Sequence, residues 1–484
     1  MMNLNDLQPK EVFRFFYEIC RIPHGSYNID AISDYLVAFA KERNLEVRQD
    51  QLKNVIIKKP ATEGYEKEET LILQGHMDMV AVKETDSDID MEKDPLRLDY
   101  KDGCLYAQGT SLGGDDGIAI AYALAILDSD SIKHPGLEVV FTVNEEVGMD
   151  GAIGIDLSDL KGTRLLNIDS EEEGVLLTSC AGGMRVHALL PVVRIPSEGS
   201  CVKVVLSGLK GGHSGAEIHH GRANANHTMG RILSELSRKV SFNVAMLSGG
   251  EKDNAIPLYA EALLCIENPD MNALSTELSA IEEVLKNEYA GKEDSIRITL
   301  CESECEVVTM LDEQSTKAVY EYLCSVPDGV IAMSGLNPGF VETSLNLGVL
   351  KLTEEGLEAD YALRSSIEQS KLFLRDRVDM ITRAFGGSCE FSGDYPGWEY
   401  RAQSPLRDKM IRVYEKCYGS LPEVTAIHAG LECGILLKKR SDLDCISFGP
   451  DIYDIHTTKE RMPVDSVKRT WEYLLAVLSE KEQG

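Results

Sequence analysis

Apolar and polar residues follow two different patterns along this chain. As far as residue 169, short continuous apolar runs alternate with segments of helical period. The first pattern is typical of buried strands and the second of amphipathic helices. It predicts helices at 12–22, 29–43 and 118–127, and strands at 54–58, 70–74, 137–143 and 165–168. Because continuous apolar strands are usual in sheets covered by helices on both faces, an α/β domain with a mixed, mostly parallel sheet is predicted.

After Cys180 the predicted strands change character, because apolar and polar residues alternate within them. Such alternation is typical of a sheet with one exposed face. The pattern predicts strands at 202–206, 259–266, 296–300, 345–352 and 357–363, and helices at 223–238, 271–289, 316–325 and 369–385. This block is predicted to be an inserted α+β domain, and it could consist of two similar sub-units.

Five residues that can bind metal ions stand at the ends of predicted elements. They are His76, Asp115, Glu146, Asp169 and His456. Most of them follow a strand-like apolar run, whereas Asp115 precedes the helix-like run at 118–127. In an open α/β sheet, ligands gather outside the carboxyl ends of the strands. We therefore expect one two-metal site, and its histidine and carboxylate ligands suit zinc, manganese or cobalt.

The position of His456 determines the predicted domain organisation. Beyond the insertion the chain again shows helix patterns, at 406–418 and 466–478, with a strand at 445–448 between them. If His456 joins the other ligands, this segment must belong to the first domain. The sequence thus predicts a discontinuous metal-binding domain, residues 1–185 and 397–484, interrupted by an inserted domain at 186–396.

Two close pairs of residues indicate a division of tasks within this site. Residues i and i+2 of a strand point to the same face, so Asp78 could accept the second ring N–H of His76 and fix its tautomer. Glu145 and Glu146 are adjacent, so one could bind metal while the other accepts a proton from water. A structural histidine near an unrelated aspartate, or a solvated acidic turn, would give the same short patterns.

The glycine-rich turn at 113–117 places Asp115 and Asp116 before a helix. A carboxylate there could bridge two cations about 3.5–4 Å apart. The alternative is an ordinary helix N-cap, a role that suits one of the two aspartates.

A second group of polar residues lies in the predicted insertion. His213 occupies a glycine turn, Asn254 precedes Ala-Ile-Pro, and Arg364 follows the strand at 357–363. Histidine, amide and guanidinium groups could bind a carboxylate or stabilise an oxyanion. Each residue taken singly is more often structural.

Composition narrows the possible functions. The 484 residues carry a net charge of −31, which disfavours binding to nucleic acid or to an anionic membrane surface. The first residues do not have the pattern of a secretory signal. The twelve cysteines are scattered singly, with no CxxC pair, which favours a reducing cytoplasm.

Taken together, these motifs resemble peptidase family M20. The resemblance rests on HMD at 76, GGDDG at 113, EE at 145, DSEEEG at 169, GGHSG at 211 and the late His456. Within the family, the chain is similar to the bacterial aminoacyl-histidine dipeptidases through CAGG at 180, NAIP at 254, VETSLN at 341, YPGW at 395 and IHAGLECG at 427. The resemblance covers essentially the whole chain. One departure is Asp116, where relatives often have asparagine.

The resemblance implies two Zn²⁺ ions per subunit, which Co²⁺ or Mn²⁺ can replace. It makes Asp115 the bridging ligand, with His76 and Asp169 on one ion and Glu146 and His456 on the other. It also implies that Asp78 orients His76 and that Glu145 is the general base. Implied substrate contacts are His213, Asn254, Arg364, His428 and Glu432.

The resemblance further implies a cytoplasmic dipeptidase that cleaves small Xaa-His peptides. The inserted domain would act as a lid over the substrate and carry homodimer contacts. A tripeptidase, an aminopeptidase or an amidohydrolase of N-acyl amino acids would have the same metal site with a different lid. A non-catalytic metal-dependent binding module is the alternative from another class, and the retained Glu145 and Glu146 argue against it.

Overall fold

The computed structural model describes residues 7–197, 200–303 and 309–481. Within these residues the chain forms two compact units. The first unit contains residues up to 179, residues 400–426 and residues from 431 onward, whereas the second contains residues 180–399 and 427–430. The division thus lies at 179/180 and 399/400, where the sequence pattern predicted 185 and 397.

The part of the first unit before residue 180 alternates helices and strands, numbered here in chain order. Its helices are α1 (Lys10–Ile19), α2 (Asp30–Glu42), α3 (Gly114–Asp128) and α4 (Asp150–Gly154). Its strands are β1 (Glu46–Gln49), β2 (Val55–Lys59), β3 (Leu71–His76), β4 (Leu98–Lys101), β5 (Cys104–Ala107), β6 (Leu137–Thr142), β7 (Arg164–Asn167) and β8 (Val175–Cys180).

The second unit is rich in strands. These are β9 (Gly182–Leu190), β10 (Arg194–Pro196), β11 (Ser200–Ser207), β12 (Gly212–His213), β13 (Asn243–Gly249), β14 (Ala255–Ile256), β15 (Ala260–Ile266), β16 (Arg297–Glu302), β17 (Thr309–Leu311), β18 (Gly329–Met333), β19 (Val341–Leu352), β20 (Leu357–Ser365) and β21 (Ser388–Tyr395). Its helices are α5 (Ala225–Leu236), α6 (Met271–Glu288), α7 (Glu313–Ser325) and α8 (Glu368–Ala384).

The chain then adds further elements to the first unit. These are α9 (Pro405–Tyr418), β22 (Glu423–Ile427), α10 (Glu432–Lys439), β23 (Asp444–Ser447), β24 (Arg461–Pro463) and α11 (Val464–Ser479). β23 pairs in parallel with β7 and antiparallel with β8. A strand near residue 445 thus lies between two strands that precede residue 181.

One eight-stranded mixed sheet runs through the first unit in the order β1-β2-β6-β3-β7-β23-β8-β22. Its central strands β6, β3, β7 and β23 are parallel. The pairs β1–β2, β2–β6 and β23–β8 beside them are antiparallel. β3 and β6 are buried at every position, as expected from their continuous apolar runs. The predicted α/β class with a mixed sheet is confirmed.

Helix α3 is apolar on every side and buried from Gly114 to Leu127. A helix of this kind belongs to the interior rather than to the surface. It packs against α1 and β3, and the Tyr122 ring stacks on Trp471 of α11. This packing fixes the start of α3, where Asp115 and Asp116 lie.

A nine-stranded antiparallel sheet forms the centre of the second unit. Its order is β16-β11-β15-β13-β19-β20-β9-β21, and β18 pairs with β19. Buried residues alternate with more exposed ones along β11, as predicted for a sheet with one open face. Because strands from both halves of the insertion share this sheet, the second unit is one α+β domain. Among the described residues, no helix is long and apolar enough to cross a membrane.

Candidate metal centre

The two carboxylate oxygens of Asp115 face two different histidines. Oδ1 lies 3.2 Å from Nε2 of His76, and Oδ2 lies 3.1 Å from Nε2 of His456. Asp115 itself is buried. A carboxylate between two nitrogen ligands can bridge a pair of cations about 3.5–4 Å apart.

Each of these two histidines also faces a second carboxylate. Oδ1 of Asp169 lies 3.5 Å from Nε2 of His76, and Oε1 of Glu146 lies 2.9 Å from Nε2 of His456. The structure therefore brings all five predicted ligands together within the first unit.

Strand ends position most of these side chains. His76 is the last residue of β3, and Asp169 lies just beyond the end of β7. Glu146 lies in the turn after β6, whereas His456 lies in the loop after β23 with a left-handed φ of 60°. Because β6, β3, β7 and β23 are adjacent and parallel, their carboxyl ends meet at one edge of the sheet.

Asp78 connects His76 to the turn that carries the two glutamates. Its carboxylate accepts hydrogen bonds from the Ser26 hydroxyl, at 2.8 Å, and from the Glu145 backbone N–H, at 3.0 Å. Nδ1 of His76 lies 2.9 Å from the backbone carbonyl of Asp78 and 3.6 Å from its carboxylate. Because 3.6 Å is longer than a hydrogen bond, the nearer acceptor for this ring nitrogen is the backbone carbonyl. The carbonyl orients the ring.

Glu145 lies beside this cluster without a side-chain partner. Among the described residues, no hydrogen bond or ion pair holds its carboxylate. Oxygens of Glu145 and Glu146 lie within 4.8 Å of one another and of a ring nitrogen of His76. Burial, with the nearby Asp169 charge adding to it, raises the pKa of Glu145 well above its usual range.

Asp116 packs beneath the end of β3. Its Oδ2 accepts the backbone N–H of His76 at 3.1 Å. A methyl group on Gly75 would clash with the Asp116 carboxylate, so this close approach needs glycine. Asp116 also lies within 4.8 Å of His76 and Asp169 donor atoms. It thus supports the backbone of one predicted ligand.

The charges of the cluster show what it can bind. Burial raises the pKa of Glu146 and of Asp169. The hydrogen bonds of His456 to Asp115 and Glu146 raise its pKa to about 10. Burial lowers the pKa of His76, but its hydrogen bonds to Asp115 and Asp169 outweigh this effect. Closely spaced carboxylates favour the binding of positive charge. Together with the histidine nitrogens they form a set of nitrogen and oxygen ligands that suits divalent metal ions.

A layer of polar side chains lies beneath the ligands and was not predicted. The Glu432 carboxylate accepts hydrogen bonds from the Gln74 amide at 2.5 Å and from the Thr142 hydroxyl at 2.6 Å. Asn167 donates to Gln74 at 2.6 Å. Gln74, Thr142 and Asn167 are buried polar residues in the largely apolar strands β3, β6 and β7, and their position next to the apolar residues was the available signal. Glu432 is 0% exposed, so in this structure its carboxylate contacts Gln74 and Thr142 within the buried layer.

The second unit contains four of the predicted substrate contacts. Nδ1 of His213 accepts backbone N–H groups from Gly215 and Ala216 at 3.2 and 3.0 Å. Its Nε2 is therefore the protonated nitrogen of a neutral ring. Asn254 adjoins β14, which pairs with β12 at Gly212–His213, and its carbonyl accepts the Ser214 N–H at 2.9 Å.

Arg364 and His428 lie in the same unit as His213. The Arg364 guanidinium donates to the Tyr395 hydroxyl at 3.2 Å, and Nε2 of His428 lies 2.7 Å from the Ser344 hydroxyl. Burial and the Arg364 charge lower the pKa of His213 and lower the pKa of His428 to about 3. The unit thus places one fixed positive charge near two neutral imidazoles.

Comparison with known proteins gives one family. The model for peptidase family M20/M25/M40 matches residues 72–480. The cytosol non-specific dipeptidase of Escherichia coli (strain K12) is 38% identical over 483 residues, covering 99% of each chain.

Solved structures agree with this match. An aminoacylhistidine dipeptidase from Vibrio alginolyticus superimposes with a TM-score of 0.94 at 36% identity, covering 100% of this chain and 99% of that one. A tripeptidase from Staphylococcus aureus gives a TM-score of 0.55 at 16% identity, with 98% of both chains covered. The second likeness concerns the fold alone.

Proposed function

This chain belongs to peptidase family M20/M25/M40, and from that premise we propose that it is a metal-dependent dipeptidase. The observation that carries the proposal is Asp115, which faces His76 with one oxygen and His456 with the other. Two cation positions that share a carboxylate suit a two-metal hydrolase. The proposed cofactors are two Zn²⁺ ions per subunit, which Co²⁺ or Mn²⁺ can replace. Asp169 completes the His76 side, and Glu146 completes the His456 side.

Bound metal ions would supply Lewis acidity toward the scissile carbonyl. Glu145 is the proposed general base, which accepts a proton from the attacking water and returns it to the leaving amine. Three features support this role: its position next to Glu146, its unpartnered carboxylate and its raised pKa. A raised pKa makes a carboxylate a stronger proton acceptor, as a general base requires.

Asp78 is the proposed positioning residue for this step. Its carboxylate holds the Glu145 backbone, and its carbonyl holds the His76 ring. One residue therefore sets the distance between the base and a metal ligand. Misplacement of reacting groups by even 1 Å can slow a reaction about 100-fold.

Recognition of the peptide is proposed to involve the second unit. The Arg364 guanidinium, held by Tyr395, suits the terminal carboxylate of a short peptide. The neutral His213 ring and Asn254 can donate hydrogen bonds to substrate oxygens, and His428 lies close to Arg364. The second unit is further proposed to act as a lid and to carry the contacts of a homodimer.

The proposed substrates are dipeptides, with a preference for histidine at the carboxyl end. Both full-length relatives are named dipeptidases, and the Vibrio enzyme is named for aminoacyl-histidine substrates. The name of the Escherichia coli relative also supports a cytoplasmic location.

A substrate panel tests this function. Zinc-loaded protein is assayed with alanyl-histidine, alanyl-alanine, alanyl-alanyl-histidine and N-acetyl-alanyl-histidine. We expect kcat/KM to be highest for alanyl-histidine and negligible for the acetylated peptide. Faster cleavage of the tripeptide or the acetylated peptide would instead favour a tripeptidase or an amidohydrolase.

A further inference from the structure

Glu460 is a buried carboxylate that binds a row of backbone amides. Its Oε2 accepts the N–H groups of Leu112 and Gly113 at 2.8 and 3.0 Å. Its Oε1 accepts those of Gly114 and Asp115 at 2.8 and 3.4 Å. The side chain is 3% exposed. Four consecutive donors thus converge on one side chain more than 300 residues away in sequence.

These amides have no partners within the helix, because they belong to the turn before α3 and to the first two residues of α3. Gly113 has a left-handed φ of 68°, and Asp115 has non-helical angles of −84° and 108°. Orphan N–H groups at a buried helix start need an acceptor. Glu460 satisfies them and holds the backbone of the residue whose carboxylate lies between two histidines.

Glu460 lies in the same loop as His456. Tyr453 and Arg461 close this loop with two backbone hydrogen bonds of 2.9 and 3.0 Å, and the Glu460 N–H donates to the Thr457 carbonyl at 3.2 Å. The loop therefore places His456 beside one carboxylate oxygen of Asp115, while Glu460 of the same loop accepts hydrogen bonds from the backbone at that aspartate.

We infer that Glu460 is a positioning residue that sets Asp115 and His456 at the separation metal binding requires, an inference that rests on the proposed function. It touches neither the substrate nor a metal ion in this role. Side chains that orient metal ligands typically change metal affinity about 10- to 100-fold when they are replaced. Removal of this carboxylate should therefore weaken metal binding.

The test compares E460Q with a matched variant, E138Q. Glu138 is also 3% exposed, lies in the first unit and accepts backbone N–H groups from Lys161 and Gly162 at 2.9–3.0 Å. It lies at the start of β6 rather than near the ligands. In either variant the glutamine side chain keeps one oxygen that can accept backbone N–H groups, while its NH₂ group cannot accept any. The two substitutions therefore remove the same kind of hydrogen bond.

Cobalt titration of metal-free protein, followed by the visible absorption of bound Co²⁺, measures the effect. E460Q should bind Co²⁺ about 10- to 100-fold more weakly and show an altered spectrum. E138Q should keep the wild-type affinity and spectrum even if it unfolds at lower urea concentration. Equal affinity of E460Q and wild-type protein would overturn the inference while leaving the metal site intact. Failure of wild-type protein to bind Co²⁺ would refute the proposed function and this inference with it.

Hydrogen exchange of wild-type protein provides a test that does not depend on folding of E460Q. If Glu460 holds the turn, the amides of Leu112, Gly113 and Gly114 should be protected after the metal has been removed with a chelator. Rapid exchange of these amides in otherwise folded protein would contradict the inference.

Discussion

Glu145 and Glu146 are neighbours in sequence with different proposed tasks, and single substitutions separate these tasks. E145Q should lower kcat about 100- to 10,000-fold, the usual contribution of general acid–base catalysis. It should keep two metal ions, because the Glu145 carboxylate is not a proposed ligand. E146Q removes a proposed ligand and should bind metal more weakly. Metal analysis and steady-state kinetics distinguish the variants. An E145Q enzyme with near wild-type kcat would exclude Glu145 as the base.

His428 provides a prediction about pH. Burial and the Arg364 charge lower its pKa to about 3 in the folded protein. In the unfolded chain a histidine binds a proton below a pH of about 6.5. The unfolded state therefore binds more protons between these values, and the folded state loses stability as pH falls through this window. The slope is at most about 1.4 kcal/mol per pH unit for this one ring.

H428Q should remove that contribution to acid sensitivity. The free energy of unfolding of H428Q and of wild-type protein is measured with urea at pH 7 and pH 5. The loss of stability between these two pH values should be smaller for H428Q. H220Q, at an exposed histidine of the same unit, is the control and should behave like wild-type protein. Equal pH dependence of H428Q and wild type would contradict the assignment.

At the residue level, the five proposed ligands could be selected from the sequence because most of them follow an apolar run. It could not predict that the carbonyl of Asp78, rather than its carboxylate, holds His76. Nor could it predict the buried hydrogen bonds of Glu432, or identify Glu460 at all. Their partners lie hundreds of residues away in sequence, and only the folded chain brings them together.

At the level of elements, three neighbouring strands are tied together by buried polar groups. The Thr142 hydroxyl of β6 donates to Glu432, which also binds Gln74 of β3. T142V should destabilise the protein by about 1.5–3 kcal/mol, because it removes a hydrogen bond to a buried carboxylate. Urea unfolding measures this loss.

T178V is the matched control for T142V. Thr178 is a buried threonine of the same sheet, but its hydroxyl donates to the neutral carbonyl of Thr425 at 3.0 Å. Its replacement should cost only about 0.5–1.5 kcal/mol. A smaller loss for T142V than for T178V would mean that the layer beneath the ligands does not stabilise the sheet.

The long apolar elements were predicted close to their observed bounds, whereas several others were not predicted. β21 is an edge strand and exposed at most positions, so burial imposes no alternation on its sequence. β9 begins with two glycines that lie against Tyr395 and Gly397. These neighbours leave no room for a side chain, so glycine is required there whatever the burial of the strand. Strands whose sequence is set by neighbours rather than by a buried face leave little periodic signal.

At the level of the whole molecule, the first unit is built from separate stretches of chain, and all five proposed ligands lie in it. Bound metal should therefore stabilise the first unit more than the second. A ligand at 100 times its Kd adds about 2.7 kcal/mol. Hydrogen exchange before and after chelation should show faster exchange around His76, Asp115 and Glu145, and little change in the sheet of the second unit. Uniform change throughout both units would contradict this placement.

The discontinuity itself was predictable because His456 had to reach ligands near the start of the chain. The assignment of residues 427–430 to the second unit could not be predicted, because the pattern of apolar and polar residues does not change at this short segment.

The central claim is a two-metal dipeptidase centred on Asp115. Its most direct test is titration of metal-free protein with Zn²⁺ while hydrolysis of alanyl-histidine is followed. We expect no activity without metal and a rise to a plateau at two equivalents per chain. Full activity of metal-free protein, or no hydrolysis at any zinc content, would contradict the claim.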